Sequence, residues 1–153
     1  MSRNAEEVPE PGPVIEREVR IEARPETVFE LFTDPEQYVR WKGRAAKLDP
    51  RPGGEFRAEV NDQAVAVGEF VEVDPPRRVV FTWGWEGNEA VPPGSSTVEV
   101  TMEPDGEGTM LRLVHRGLPA PAVADHTHGW DHYLARLAVV GAGGDPGPDP
   151  NVG

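Results

Sequence analysis

The sequence predicts an α+β fold in which a curved antiparallel sheet wraps around one long C-terminal helix. A strand pattern at residues 14–22 precedes two short helical patterns, then a run of strand patterns between 52 and 117, then one amphipathic helical pattern from about 122 to 140. Short turns separate the consecutive strands, which predicts an antiparallel meander. Because a long twisted sheet is concave and one helix cannot fill it, this order also predicts a cavity between sheet and helix.

Both ends of the chain are rich in proline and glycine and lack the apolar side chains that build a core. We therefore expect flexible tails at residues 1–13 and 141–153, with a single domain at 14–140 between them. The length of 153 residues suits one such domain.

Composition argues against several classes of function. The formal net charge is -12 and no basic stripe offsets it, so neither nucleic acid nor an anionic membrane is expected as a partner. No apolar run could span a bilayer and no signal-like leader is found, which predicts a cytoplasmic location. The absence of cysteine excludes disulfides, thiolate catalysis and cysteine-bound metal. Without a nucleophile elbow or a phosphate-binding glycine loop, no cofactor is predicted.

The N-terminal third predicts a strand and two short helices. Residues 14–22 alternate between apolar and charged side chains, which is typical of a half-buried strand. Pro25 lies in the first turn of a short helix with several apolar side chains on one side. The segment Thr33-Asp34-Pro35 ends this helix and starts a second one that carries Tyr38 and Trp41.

The middle of the chain predicts a series of strands separated by turns. The Asp105-Gly106-Glu107-Gly108 segment is a hairpin turn between the last two of them. Alternation places Phe81, Trp83 and Trp85 on one strand face and continues from Leu113 to His115 on another. The predicted strands are residues 55–60, 65–73, 78–86, 97–103 and 109–116.

The C-terminal helix has two distinct faces at about 100° per residue. The face that should contact the sheet carries His126, Gly129, Trp130, Tyr133, Leu137 and Val140. The opposite face carries Asp125, His128, His132 and Arg136 and is predicted to be solvated.

Several motifs resemble those of a known superfamily. The sequence IEARPETVF at residues 21–29, followed by TDPE at 33–36 and by Trp41, resembles the opening of the START-related, birch-pollen-allergen-like proteins called SRPBCC. Further motifs are similar to the subgroup named after a homologue of the heat-shock-protein-90 ATPase activator. They are VDPPRRVVFTW at 73–83, Gly108-Thr109 through Leu113 to His115 and Gly117-Leu118, and then His126, Gly129-Trp130 and Leu137.

The resemblance covers roughly residues 14–140 and implies a helix-grip fold with a cavity under the long helix. Members of the superfamily use that cavity for lipids, hormones, polyketides or other apolar molecules. A minority catalyse cyclisation or dehydration there.

Aromatic and histidine side chains are the candidate ligand contacts, because aromatic rings supply large apolar surfaces and strand and helix phase direct several of them inward. Plain core packing is the alternative for each ring. Gly129 costs about 1 kcal/mol relative to alanine inside a helix, so either room for a ligand or close approach to the sheet should compensate. The predicted ligand-binding residues are Phe32, Trp41, Phe56, Phe81, Trp83, Trp85, His115, His126, Gly129, Trp130 and Tyr133.

The four histidines form two pairs with different expectations. His115 and His126 face one cavity, where they could bind the polar end of a ligand, transfer a proton, or serve as structural histidines. His128 and His132 stand at i, i+4 with Asp125 nearby, which is a metal-ligand spacing. Since their helix face is turned away from the sheet, only adventitious metal is expected there.

These features favour a binding domain for an apolar or amphipathic small molecule, without enzymatic activity. A cyclase- or dehydratase-like enzyme that uses His115 and His126 is one alternative. A co-chaperone-like interaction module that uses the outer sheet face or the tails is another. Homodimerisation is left open.

Overall fold

The computed structural model describes residues 13–150, which form seven strands and three helices. The elements are β1 (Val14–Ile21), α1 (Pro25–Thr33), α2 (Pro35–Tyr38), β2 (Ala45–Leu48), β3 (Glu55–Glu59), β4 (Val65–Asp74), β5 (Arg78–Trp83), β6 (Ser96–Asp105), β7 (Gly108–Arg116) and α3 (Ala120–Gly141).

One antiparallel sheet contains all seven strands in the order β1-β7-β6-β5-β4-β3-β2. Strands β3 to β7 form the predicted meander. Strand β2 extends the sheet beyond β3, and β1 pairs with β7 at the opposite edge. Helix α3 packs against the same side of the sheet as α1, and its buried residues include Trp130, Tyr133 and Leu137. The predicted fold class, a curved antiparallel sheet gripping one long C-terminal helix, is confirmed.

Strand alternation separates the core from the outer surface. In β6, Val98, Val100 and Met102 are fully buried, and the residues between them are partly exposed. Val100 and Met102 pair with Leu113 and Leu111 of β7, which are also buried. Burial of apolar area on this face stabilises the sheet by about 25 cal/mol per Å².

Several boundaries differ from the predicted ones. Strand β2 was not predicted, because Ala45–Leu48 has only four residues, which alternate between exposed and half-buried positions. Its pairing with β3 defines it. Strand β5 ends at Trp83 instead of residue 86. At Gly84 a Cβ atom would lie 1.8 Å from the carbonyl oxygen of Pro92, so the returning loop approaches the backbone too closely for any other residue. Helix α2 ends before Trp41.

The C-terminal segment beyond α3 contacts that helix. Arg136 donates hydrogen bonds to the carbonyl oxygens of Pro146 (3.4 Å) and Gly147 (3.1 Å). His132 lies 3.2 Å from the Asp149 carboxylate. The flexibility of both tails stays a prediction, and residues 1–12 and 151–153 lie outside the described residues.

No helix within residues 13–150 is long and apolar enough to cross a membrane.

Candidate functional site

A cavity of about 610 Å³ lies between α3 and the loops that follow β3 and β5. Pockets that hold small organic ligands have volumes of roughly 300–1,000 Å³. The wall consists of buried and half-buried residues: Lys42, Val60, Asn61, Ala64, Trp83, Trp85, Val91, Ala122, His126, Gly129, Trp130 and Tyr133. The rim consists of the exposed residues Asn88, Ala90, Pro119, Pro121 and Asp125, so the cavity is open to solvent on this side.

The loop after β5 forms one side of the rim and is held by its own hydrogen bonds. The Asn88 side-chain oxygen accepts hydrogen bonds from the backbone N–H groups of Ala90 (2.8 Å) and Val91 (2.9 Å), a turn that asparagine favours. The backbone N–H of Trp85 donates to the carbonyl of Val91 at 2.8 Å. These bonds hold Trp85 at the cavity wall.

Six of the predicted ligand contacts line the cavity, and the other five lie behind it. The structure brings together Trp83, Trp85, His126, Gly129, Trp130 and Tyr133. Phe32, Trp41, Phe56, Phe81 and His115 are buried away from the lining of this cavity.

The aromatic residues outside the cavity lining, Phe32, Trp41, Phe56 and Phe81, belong to a packed cluster in the core. Phe56 stacks on Phe81 with ring centroids 4.2 Å apart, and Phe32 packs on Trp41 at 5.0 Å. The Trp41 indole N–H donates to the carbonyl of Leu31 at 2.7 Å, so its polar atom is satisfied inside the protein. Alternation places these rings on the inner face, but ring volume closes the space around them.

His115 is completely buried and both of its ring nitrogens are occupied. Nδ1 accepts a hydrogen bond from Nε1 of Trp130 at 3.0 Å, which assigns the proton to Nε2. Nε2 then donates to the Ser96 hydroxyl at 2.8 Å, and that hydroxyl donates to the carbonyl of Trp83. Burial, with smaller contributions from the neighbouring His126 and Lys42 charges, lowers the pKa of His115 to about 3.

His126 is similarly engaged. Nδ1 donates to the carbonyl of Ala122 at 2.8 Å, and Nε2 accepts from Nε1 of Trp85 at 3.0 Å. Burial lowers the pKa of this imidazole also. Because neither His115 nor His126 has a free ring nitrogen, the geometry favours their structural roles over proton transfer.

Lys42 is the basic residue of the cavity wall, and sequence reasoning missed it. It is 5% exposed, and its Nζ lies 3.8 Å from the ring centroid of Tyr133, 5.2 Å from that of Trp83 and 5.4 Å from that of Trp130. Within residues 13–150 its ammonium group makes no hydrogen bond or ion pair. Burial lowers the pKa of Lys42 to about 7, although the Asp149 charge acts in the opposite direction.

The backbone around Lys42 is fixed from both sides. Its N–H donates to the carbonyl of Tyr38 at 3.1 Å, and the carbonyl of Trp41 accepts from Arg136 of α3 at 3.1 Å. The next residue, Gly43, has φ +77°, and a Cβ atom there would lie 2.8 Å from the carbonyl oxygen of Glu59. The turn therefore requires glycine and holds the lysine beside α3.

A weak sequence signal could have identified Lys42. The chain uses arginine for nearly all its basic residues, and its lysines are at positions 42 and 47. Lysine can be held neutral when it is buried and arginine cannot, so a rare lysine directly after a tryptophan is a candidate for a buried amine at a site. Because Lys42 follows α2 in a turn, no helix or strand period could indicate where it points.

Trp83 adds a second polar atom without a partner. Its indole Nε1 is buried and makes no hydrogen bond within the described part of the chain. Buried N–H groups are nearly always paired in proteins. Because this atom has almost no accessible surface, Trp83 contributes its ring and not its N–H group to the cavity wall.

The second histidine pair, His128 and His132, lies on the face of α3 that is turned away from the cavity. His128 is exposed, as predicted. His132 differs from the prediction, because residues 146–149 cover this part of α3 and leave its side chain 30% exposed beside Asp149. Residues 13–150 contain no group of three or more side chains placed to hold a metal ion.

Gly129 faces open space. A Cβ atom at this position would have no heavy atom within 4 Å, so close approach to the sheet does not explain the glycine. We expect Gly129→Ala to increase the free energy of unfolding by about 1 kcal/mol, because alanine favours the helix and meets no steric conflict. Urea denaturation followed by circular dichroism measures this, and a decrease in stability would show that the glycine has a packing role.

Comparison with known proteins identifies relatives. A family model described as "Activator of Hsp90 ATPase homolog 1-like protein" matches residues 22–142. The chain is 49% identical to an AHSA1-like protein from Rhizobium etli, over 90% of this chain and 86% of that one, with a TM-score of 0.72. It is 31% identical to CalU16 from Micromonospora echinospora, over 81% and 73% of the two chains, with a TM-score of 0.68. An HSP90 activator from Plasmodium falciparum is 26% identical, over 84% and 96%, with a TM-score of 0.70. No curated protein matches.

Proposed function

Because the chain belongs to the family of activator of Hsp90 ATPase homolog 1-like proteins, we propose that it uses the helix-grip cavity of that fold to bind an apolar or amphipathic small molecule. The observation that carries the proposal is the 610 Å³ space, bounded by aromatic and aliphatic side chains and reachable from solvent. A protein interior of ordinary packing leaves few voids larger than a water molecule.

Two features of the wall support binding. Gly129 leaves open space on the helix side although alanine would be more stable in the helix. Trp83, Trp130 and Tyr133 present large rings to the same space. Such rings provide apolar contact area at a small cost in side-chain entropy.

The two alternatives have less support. Enzymatic use of His115 and His126 would require breaking the hydrogen bonds that occupy their ring nitrogens. A protein-interaction module would expose an apolar patch. Among the described residues, the large apolar side chains that are exposed are Val71 and Val139, on different elements.

The outer face of the sheet is also charged. Arg116 pairs with Glu99 at 2.8 Å, and Arg112 lies 3.4 Å from Glu16. Exposed pairs of this kind contribute little stability but keep the surface hydrated. These charges favour an outer face of the sheet that is solvated over one that binds an apolar partner.

A bulky side chain at Gly129 tests the proposal. N-phenyl-1-naphthylamine, an apolar dye whose fluorescence rises in apolar surroundings, should bind the parent protein. We expect Gly129→Leu to weaken its binding at least about tenfold, because the added side chain occupies the cavity. Fluorescence titration gives the dissociation constants.

The matched control is Ala135→Leu, which adds the same side chain at an exposed position of α3. It should bind the dye like the parent. Equal dye affinity in Gly129→Leu and the parent would place the dye elsewhere and contradict a binding role for the cavity.

A further inference from the structure

The charges at the cavity are unevenly distributed. Among the residues of its wall and rim, Lys42 is the one whose side chain carries a positive charge near neutral pH, since burial lowers the pKa of His126 and its Nε2 accepts a hydrogen bond from Trp85. Asp125 contributes a negative charge at the rim. The overall charge of -12 would also repel anions from the surface. Any preference of the cavity for an anion would therefore originate at Lys42.

Lys42 is surrounded by groups that do not complete its hydrogen bonding. The rings of Trp83, Trp130 and Tyr133 attract a cation through their faces but accept no ordinary hydrogen bonds. An ammonium group can donate three hydrogen bonds, and a buried one is unfavourable without a partner. The ammonium group of Lys42 can therefore donate hydrogen bonds to acceptor atoms of a ligand in the cavity.

We propose that Lys42 anchors an acidic group of the ligand, so that the occupant of the cavity is an amphipathic organic anion with an apolar body. The carboxylate, sulfonate or phenolate oxygen would lie against Nζ, and the apolar body would extend between Trp83, Trp130 and Gly129 towards the rim. This inference rests on the proposed function of the cavity.

Lysine suits this role better than arginine would. An arginine remains charged when buried, whereas lysine can release its proton in the empty site and regain it with the ligand. Burial lowers the pKa of Lys42 to about 7 in the free protein, and an anion beside Nζ would raise it again. Binding of an anion should therefore be accompanied by proton uptake.

The pH dependence follows from this shift. Since the pKa of Lys42 is higher in the complex than in the free protein, the anion-specific affinity is fully present below about pH 7. It is lost as pH rises through the pKa of the complex, by up to about tenfold per pH unit. The other groups near Nζ are His115 of β7, His126 and Tyr133 of α3, and Asp149 of the C-terminal segment.

Two dyes with the same skeleton test the proposal. The sulfonated dye 8-anilino-1-naphthalenesulfonate differs from the neutral N-phenyl-1-naphthylamine by its anionic group alone. The readout is the ratio of their two dissociation constants, sulfonated over neutral, obtained by fluorescence titration of the whole chain. We expect this ratio to rise at least about tenfold in Lys42→Met, and in the parent to rise about tenfold or more from pH 7 to pH 9.

Matched variants exclude trivial explanations. Lys47→Met removes the chain's other lysine, which is exposed on β2, and should leave the ratio at the parent value. Lys42→Gln keeps a polar end without charge and should raise the ratio as Lys42→Met does. Circular dichroism confirms that each variant is folded.

The outcomes separate this inference from the proposed function. An unchanged ratio in Lys42→Met and Lys42→Gln, with neutral dye still bound in the cavity, would overturn the anion site and leave small-molecule binding intact. A parent ratio that is independent of pH would overturn it too. Failure of the parent to bind either dye would contradict both proposals.

Discussion

Lys42→Met should raise the free energy of unfolding near pH 7 by roughly 2 to 4 kcal/mol. The pKa of Lys42 is about 7 in the folded protein, against about 10.4 for an unfolded lysine. Folding at neutral pH must therefore either desolvate a charge or release a proton from a group that would otherwise hold it. Methionine has a similar length, has no charge to desolvate, and packs well against the rings of Trp83, Trp130 and Tyr133.

The pH dependence identifies the cause. Because the folded pKa of Lys42 lies below the unfolded one, the cost of burial is fully present below about pH 7 and is relieved as pH rises towards about 10. The advantage of Lys42→Met over the parent should therefore shrink between about pH 7 and pH 9. Burial raises the pKa of Tyr38, so the stability of the folded protein falls above about pH 10, where tyrosine ionises in the unfolded chain. The comparison is therefore made below that pH.

Urea denaturation at several pH values measures this difference, with Lys47→Met as the exposed control. A lower free energy of unfolding in Lys42→Met than in the parent, or a stability difference that does not vary with pH, would show that burial does not lower the pKa of Lys42. Together with the dye experiment, the expected pattern is a more stable variant that binds anions less well. Retention of a destabilising group at a binding site is a common cost of function.

His115→Gln should remove a large part of the protein's sensitivity to acid. Since the folded pKa of His115 is about 3 and the unfolded value about 6.5, the unfolded chain binds the proton first. The stability that the neutral imidazole contributes is intact above about pH 6.5 and is progressively lost as pH falls towards 3. The loss at pH 4.5 amounts to about 2 to 3 kcal/mol.

At neutral pH the same variant is expected to be less stable than the parent. Glutamine cannot reproduce both hydrogen bonds of the ring, to Trp130 and to Ser96, and an unsatisfied buried group costs about 1–3 kcal/mol. The difference in free energy of unfolding between the variant and the parent should become smaller as pH falls, because the parent loses the stability linked to His115 and the variant has no such group to lose. His128→Gln makes the same change at an exposed position and should follow the parent at every pH.

Unfolding curves monitored by tryptophan fluorescence at about pH 7, 5.5 and 4.5 provide the comparison. An acid response in His115→Gln identical to that of the parent would show that other groups, such as His126 or the surface carboxylates, dominate the loss. A loss of stability in acid that depends on His115 would show that its imidazole is held neutral and hydrogen-bonded in the folded protein. Such a ring has no free nitrogen for proton transfer, so this result would count against the enzyme alternative.

The fold could be predicted because its elements carry long, regular patterns. The alternation through Val98, Val100 and Met102 defines an inner strand face without reference to any other residue, and short turns leave an antiparallel meander as the arrangement. The period of α3 likewise placed Trp130, Tyr133 and Leu137 against the sheet. Strand β2 escaped prediction because its four residues are too few to show a clear alternation and none of them is buried.

The site was only partly predictable. Helix and strand phase directs Trp83, Trp130, Phe56 and Phe81 inward alike. Trp83 and Trp130 line the cavity, whereas Phe56 and Phe81 stack on each other in the core. Whether an inward ring meets a cavity or another ring depends on the volumes of residues distant in sequence. The same holds for His115, whose nitrogens are occupied by Trp130 and Ser96 from other elements.

The sequence by itself determined the order of the helices and of every strand except β2, the inner face of each long element and the family, since these depend on local periodicity and on motifs along the chain. Only the tertiary structure decided where empty space remains and which polar atoms are left without partners. Lys42 shows why. Its position depends on Gly43, on the hydrogen bond from Arg136 to Trp41, and on rings from β5 and α3. Desolvation and cavity volume are properties of packed neighbours in three dimensions, and no local pattern encodes them.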